Sequence, residues 1–121
     1  MSKTVLSVDD SASIRDMVAF ALEPRGYTVV KAEDGQDGLA KMAENKIDMV
    51  ITDLNMPNMN GLEMTRAIRD DRRYDGIPIL LLTTEGQKEK MIEGKKAGAA
   101  GWIVKPFDEE KICGVVAKLI G

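Results

Sequence analysis

Histidine is missing from this chain altogether. No His-based catalytic triad, imidazole general base or His-ligated zinc site can be built from it. Cysteine is nearly missing: Cys113 stands alone, which excludes an internal disulfide and a cysteine-rich metal site. No apolar run approaches the roughly 20 residues that span a bilayer. The N-terminal apolar segment meets Asp9-Asp10 too soon for a signal peptide. An excess of basic charge is also lacking. The 17 Lys and Arg face 20 Asp and Glu, a net charge of −3, which argues against broad nucleic-acid binding. Internal repeats, low-complexity tracts and Ser/Pro-rich linkers are absent, so no second domain is expected. What is there is 121 residues, 44% hydrophobic and 31% charged. A chain of that size buries roughly two thirds of its unfolded surface and needs no cross-links. The expectation is one cytoplasmic, reduced domain over residues 1–121, monomeric, with no nucleic-acid or membrane partner.

Along the chain, short β-rich runs alternate with helical patterns. The runs are Val5-Leu6-Ser7-Val8, Thr28-Val29-Val30, Met49-Val50-Ile51-Thr52, Ile79-Leu80-Leu81-Leu82 and Trp102-Ile103-Val104. Several are apolar at consecutive positions, as expected of central strands covered on both faces. The Thr28 run is short and opens onto Lys31, which suits an edge strand. Ile14, Met17, Val18 and Ala21 mark a first helix, closed by Pro24 and Gly26. Leu39, Met42 and Ala43 form a second stripe, with Asp34 placed to cap it. Met64, Ala67 and Ile68 mark a third, opened by Asn60-Gly61. The fourth, from about Gln87 to Lys96, has only Met91 and Ile92 as large apolar residues. Gly94 in its interior costs about 1 kcal/mol relative to alanine, so it reads as a thinly packed helix able to shift. In the fifth, Asp108, Glu109 and Glu110 complement the helix dipole. Ile112, Val115, Val116 and Leu119 form its stripe, and Cys113 beside them is a small apolar filler. Alternation of this kind implies an α/β fold: a doubly wound, five-stranded parallel sheet with helices on both faces. Ligands in such folds bind outside the carboxyl ends of the strands.

Those ends carry Asp9-Asp10, Asp53, Thr83-Thr84 and Lys105-Pro106. Singly each has a plain structural explanation. Asp10 or Ser11 can cap a helix, Asp53 can open a turn, and Thr83 is ordinary strand composition. Together the charges need one. Two carboxylates about 4 Å apart repel by about 4 kcal/mol at an effective dielectric near 20. Lys105 balances one of three, and a divalent cation balances the rest. Oxygen donors without histidine or cysteine favour magnesium or manganese over zinc. Magnesium leaves part of its octahedron for phosphate oxygens, so the site is suited to receiving a phosphoryl group.

This set, with Asp53-Leu54-Asn55-Met56-Pro57-Asn58-Met59-Asn60-Gly61 and Val104-Lys105-Pro106-Phe107, resembles a two-component receiver domain over essentially the whole chain. Within that family it looks most like the stand-alone chemotaxis response regulators of the CheY type. The resemblance implies sheet order 2-1-3-4-5 and no attached effector domain. It implies that Asp53 accepts a phosphoryl group from the phosphohistidine of a sensor histidine kinase of chemotaxis type. Mg²⁺ would be held by Asp10, Asp53 and the backbone carbonyl of Asn55, with Asp9 acting mainly through water. Lys105 would pair with phosphoryl oxygens, Thr83 would hydrogen-bond one of them, and the peptide before Pro106 would be cis. Such a protein is a regulatory switch rather than an enzyme, although it assists its own phosphorylation and dephosphorylation.

The same resemblance makes Thr83 and Trp102 the switch pair, with the aromatic filling space vacated by the threonine. Family members more often carry tyrosine or phenylalanine at the position of Trp102 and a smaller residue at that of Thr84. Asn55 and Glu85 occupy positions that modulate the phosphoryl lifetime. The implied output is a protein contact with the flagellar motor switch, with a phosphatase as a further partner. A phosphate sink or relay intermediate is the alternative. A phosphoester hydrolase is disfavoured because the sequence shows no lid and no second acid-base residue to protonate a leaving group. A flavin-binding protein of this fold is disfavoured by the acidic loop after strand one.

Overall fold

The structure, a computed structural model, describes residues 2–84 and 88–121. Strands and helices alternate: β1 (Thr4–Val8), α1 (Ala12–Leu22), β2 (Thr28–Ala32), α2 (Gly35–Glu44), β3 (Met49–Asp53), α3 (Gly61–Asp70), β4 (Ile79–Thr83), α4 (Lys88–Ala97), β5 (Gly101–Val104) and α5 (Glu109–Ile120). The strands form one parallel sheet in the order β2-β1-β3-β4-β5. This is the doubly wound architecture expected from the alternation.

Period-2 alternation along the strands divides the core in two. On one face Leu6, Val8, Val50 and Leu81 meet Met42 of α2 and Met64 and Ile68 of α3. On the other, Val5, Met49, Ile51, Leu80 and Leu82 meet Val18 and Leu22 of α1 and Ile112 and Val116 of α5. β3 and β4 are buried at every position, which explains their unbroken apolar runs, whereas edge strand β2 exposes Thr28 and Lys31. Cys113 is buried in the second core, where its thiol donates to the Ala21 carbonyl at 3.2 Å.

The helix starts follow side-chain chemistry. Ser11 caps α1 and Asp34 caps α2. Asn60 and Glu63 close a reciprocal capping box on α3, and Asp108 caps α5. Pro24 lies in a short 3₁₀ turn over residues 23–25, which ends at Gly26 with φ +96°.

Two details depart from the sequence expectation. Ala43 is exposed, and the buried face of α2 consists of Gly35, Gly38 and Met42. A Cβ on Gly38 would lie 2.8 Å from Met64 Sδ and 3.2 Å from Val8 Cγ2, so α2 approaches α3 and β1 through a residue that carries no hydrophobic signal. In α4, Ile92 is exposed and Met91 half-buried, and the buried residue is Gly94. An added Cβ there would sit 2.2 Å from Leu81 Cδ1. Gly94 is thus the point at which α4 rests on the sheet. The helix is described from Lys88, so the expected start near Gln87 lies outside the described residues.

Candidate functional site

The carboxyl edge of the sheet gathers the acidic residues. Asp9 follows the last residue of β1, and its N–H donates to the Ala32 carbonyl at 3.1 Å, continuing the ladder to β2. Asp53 is the last residue of β3. Both are buried, at 1% and 8% exposure, while Asp10 is open to solvent. Because Ser11 caps α1, Asp10 is left over for other work. One carboxylate oxygen from each of Asp9, Asp10 and Asp53 lies within 4.8 Å of the other two.

The loop after Asp53 is held tightly. A Cβ on Gly61 would lie 2.2 Å from the Asp53 carbonyl oxygen, and the Gly61 N–H donates to Leu54 O at 3.0 Å. Only glycine lets the start of α3 come this near the end of β3. Asn58, at φ +66°, donates its side-chain amide to Asp34 at 2.8 Å, pinning the loop to the start of α2.

Lys105, just beyond β5, brings the positive charge. Its Nζ is 3.4 Å from Asp9 Oδ2 and 3.2 Å from Asp53 Oδ1. Its backbone N–H donates to Thr83 O at 2.6 Å, and the peptide to Pro106 is cis. The second oxygen of Asp9 accepts the Ser11 N–H at 2.9 Å. Burial nonetheless holds the Asp9 carboxyl above its usual pKa. The Ser11 N–H pulls it down, neighbouring Asp53 pushes it up, and Lys105 pulls it down again.

Three carboxylates and one ammonium leave two negative charges in the cluster. At separations within 4.8 Å, each carboxylate pair repels by at least about 3.5 kcal/mol at an effective dielectric near 20. Asp10 takes no hydrogen bond or ion pair among the described residues, so none of them offsets its charge through a direct contact. Hard oxygen donors, a net deficit of positive charge and an unengaged carboxylate at the mouth fit a divalent cation such as magnesium.

Other sequence-predicted residues are placed differently. Thr83 is fully buried, but its hydroxyl faces α4 and donates to Met91 Sδ at 3.5 Å. Asn55 is exposed, with its side-chain oxygen 3.4 Å from Lys90 Nζ. Trp102 on β5 is 39% exposed. Thr84 and Pro106 are exposed, and Glu85 lies outside the described residues. The structure therefore unites Asp9, Asp10, Asp53 and Lys105, while the Thr83 hydroxyl is engaged by Met91 and the Trp102 side chain is partly exposed on β5.

Three residues near the site were not anticipated from sequence. Arg15 donates its guanidinium to the backbone carbonyl of Asp9. Its place one turn into α1 was the available signal. Met91 and Lys90 are tied to the site only through the docking of α4, which has no signature in the sequence.

Comparison with known proteins agrees with the fold. The response regulator receiver domain family matches residues 5–117. The chemotaxis protein CheY of Pseudomonas aeruginosa is 34% identical over 116 residues, covering 95% of this chain and 94% of that protein. The phosphate regulon transcriptional regulatory protein PhoB of the same organism is 38% identical over 112 residues, 93% of this chain, which spans about half (49%) of PhoB. The solved structure of the chemotaxis response regulator CheY4 of Vibrio cholerae superposes with a TM-score of 0.93 at 45% identity, covering 99% of this chain and 100% of that one. The chain belongs to the response regulator receiver family, and within it is similar to the CheY-type receivers. As such it is a regulatory domain of phosphorylation-activated signalling. No described helix is long and apolar enough to cross a membrane.

Proposed function

We propose that Asp53 is the phosphoacceptor and that this chain switches a protein contact when Asp53 is phosphorylated by a sensor histidine kinase. The observation that carries this reading is the position of Asp53. It is buried to 8% exposure at the end of the central strand, within reach of two further carboxylates and 3.2 Å from an ammonium.

An Asp53 carboxylate oxygen attacks the phosphorus of a phosphohistidine. The new O–P bond forms as the N–P bond breaks, and the imidazole leaves as the kinase's own histidine. Lys105 pairs with the phosphoryl oxygens as they arrive, exchanging the Asp53 carboxylate for them. Catalysis of this kind is positioning and charge neutralisation, with no proton transfer required of the chain. A magnesium ion held by Asp10, Asp53 and the Asn55 carbonyl, with Asp9 acting through water, would neutralise phosphoryl charge. Asp9 already accepts from Ser11 and Lys105, which supports its more distant role. Asn55 and Glu85 modulate the phosphoryl lifetime, and the width of Thr84 and the position of Pro106 shape access. The chain is a switch and not a turnover enzyme.

The output is a contact with the flagellar motor switch through the α4–β5 face, where Ile92, Trp102 and Val104 are exposed. Trp102 reports Thr83 to that face from β5. The similarity to two chemotaxis regulators supports this target. The protein is cytoplasmic and acts as a monomer, with a phosphatase as a further partner. Motor-switch peptide should be pulled down by the phosphorylated protein and not by Asp53→Asn. Phosphorylation without any peptide capture would replace this output with a phosphate sink.

A further inference from the structure

We propose that Met91 is a positioning residue that sets how readily the site accepts phosphate, by holding the Thr83 hydroxyl on the α4 side of β4; this rests on the reading of Asp53 as phosphoacceptor. Thr83 is fully buried, and a buried hydroxyl requires a partner. Its partner is the Met91 thioether at 3.5 Å, and among the described residues no buried side-chain oxygen or nitrogen is left unpaired. Among the described residues, the resting orientation of the hydroxyl therefore depends on one sulfur atom.

The identity of that atom matters. A thioether is a weak acceptor, strong enough to satisfy a buried hydroxyl but far weaker than a charged phosphoryl oxygen. Arrival of the phosphoryl group makes the exchange favourable, and before that the sulfur holds the hydroxyl back. Met91 also sits on a helix with little else to hold it. Gly94 is the buried residue of α4, Ile92 is exposed, and Lys90 reaches Asn55 at 3.4 Å from the same turn. Release of Thr83 thus removes one of the few ties between α4 and the site edge. A residue that offered no acceptor at position 91 would raise the energy of the resting state. One that offered a strong acceptor would lower it.

The test is the affinity for beryllofluoride, a tetrahedral stand-in for the phosphoryl group, followed by ¹⁹F NMR at fixed Mg²⁺. Met91→Leu should bind about five-fold more tightly than the parent chain, the worth of one ordinary net hydrogen bond. Met91→Gln, with a stronger acceptor of similar length, should bind about five-fold more weakly. In a Thr83→Ala background both shifts should vanish, because the group on which the sulfur acts is gone. Equal shifts with and without the Thr83 hydroxyl would show that Met91 acts through packing alone and overturn the proposal, as would unchanged affinity in both variants. A parent chain that does not take beryllofluoride at Asp53 would overturn the phosphoacceptor reading itself.

Discussion

Replacing Gly94 with alanine sets two opposing effects against each other on one helix. Alanine in place of glycine in a helix interior stabilises by about 1 kcal/mol through backbone entropy. At Gly94 the new methyl would sit 2.2 Å from Leu81 Cδ1 and 3.4 Å from Leu62 Cδ2. Ordinary carbon contacts lie near 3.5–4.0 Å, so Leu81 or the helix must move by more than an ångström. Leu81 is fully buried in β4 with Ile79 and Val50 in the same core, and has little freedom to yield. Overpacking of this kind costs about 1–3 kcal/mol, which leaves a net destabilisation of about 1 kcal/mol.

Gly114 in α5 is the control. It is exposed, and a Cβ there meets nothing within 4 Å, so Gly114→Ala should stabilise by about 1 kcal/mol. Urea denaturation should therefore move the two midpoints in opposite directions at unchanged m. In a thermal scan each shift is about 4 °C. If Gly94→Ala stabilised as much as Gly114→Ala, α4 would not rest on Leu81 and its described seating would be wrong.

Asp9→Asn should raise stability at neutral pH in the absence of magnesium, because burial raises the Asp9 pKa and disfavours its charge. The sign follows from linkage: the folded state binds this proton more tightly than the unfolded one. The stability it contributes is present below the unfolded pKa and lost as pH rises through the folded one. The variant's stability should accordingly change less than the parent's across that acidic window, and an identical pH profile would contradict the assignment. Magnesium at about 100 times its Kd should stabilise the parent by about 2.7 kcal/mol. Asp10→Asn should lose most of that increment in calorimetry, and an undiminished increment would exclude Asp10 from the cation site.

How much of this was readable in the sequence depended on whether a residue's role was set by its own position or by a distant neighbour. Asp9, Asp53 and Lys105 occupy strand ends, and strand ends are visible as the limits of apolar runs. The sheet order and the doubly wound architecture followed from the same alternation together with the family resemblance. The seating of α4 was not visible, because the residue that makes it is a glycine. Its local propensity argues against a helix while its small size allows the contact. Ala43 misled for the complementary reason: Gly35 and Gly38 form the buried face of α2 without adding to any hydrophobic stripe. The direction of the Thr83 hydroxyl is a rotamer choice made by Met91, eight residues away across the edge of the sheet.

Incubating the protein with a small-molecule phosphodonor and Mg²⁺, then locating the modification by mass spectrometry, tests the central claim most directly. One phosphoryl group per chain is expected, on Asp53, absent from Asp53→Asn while that variant keeps its fold. Label on another residue, or label retained by Asp53→Asn, would contradict it.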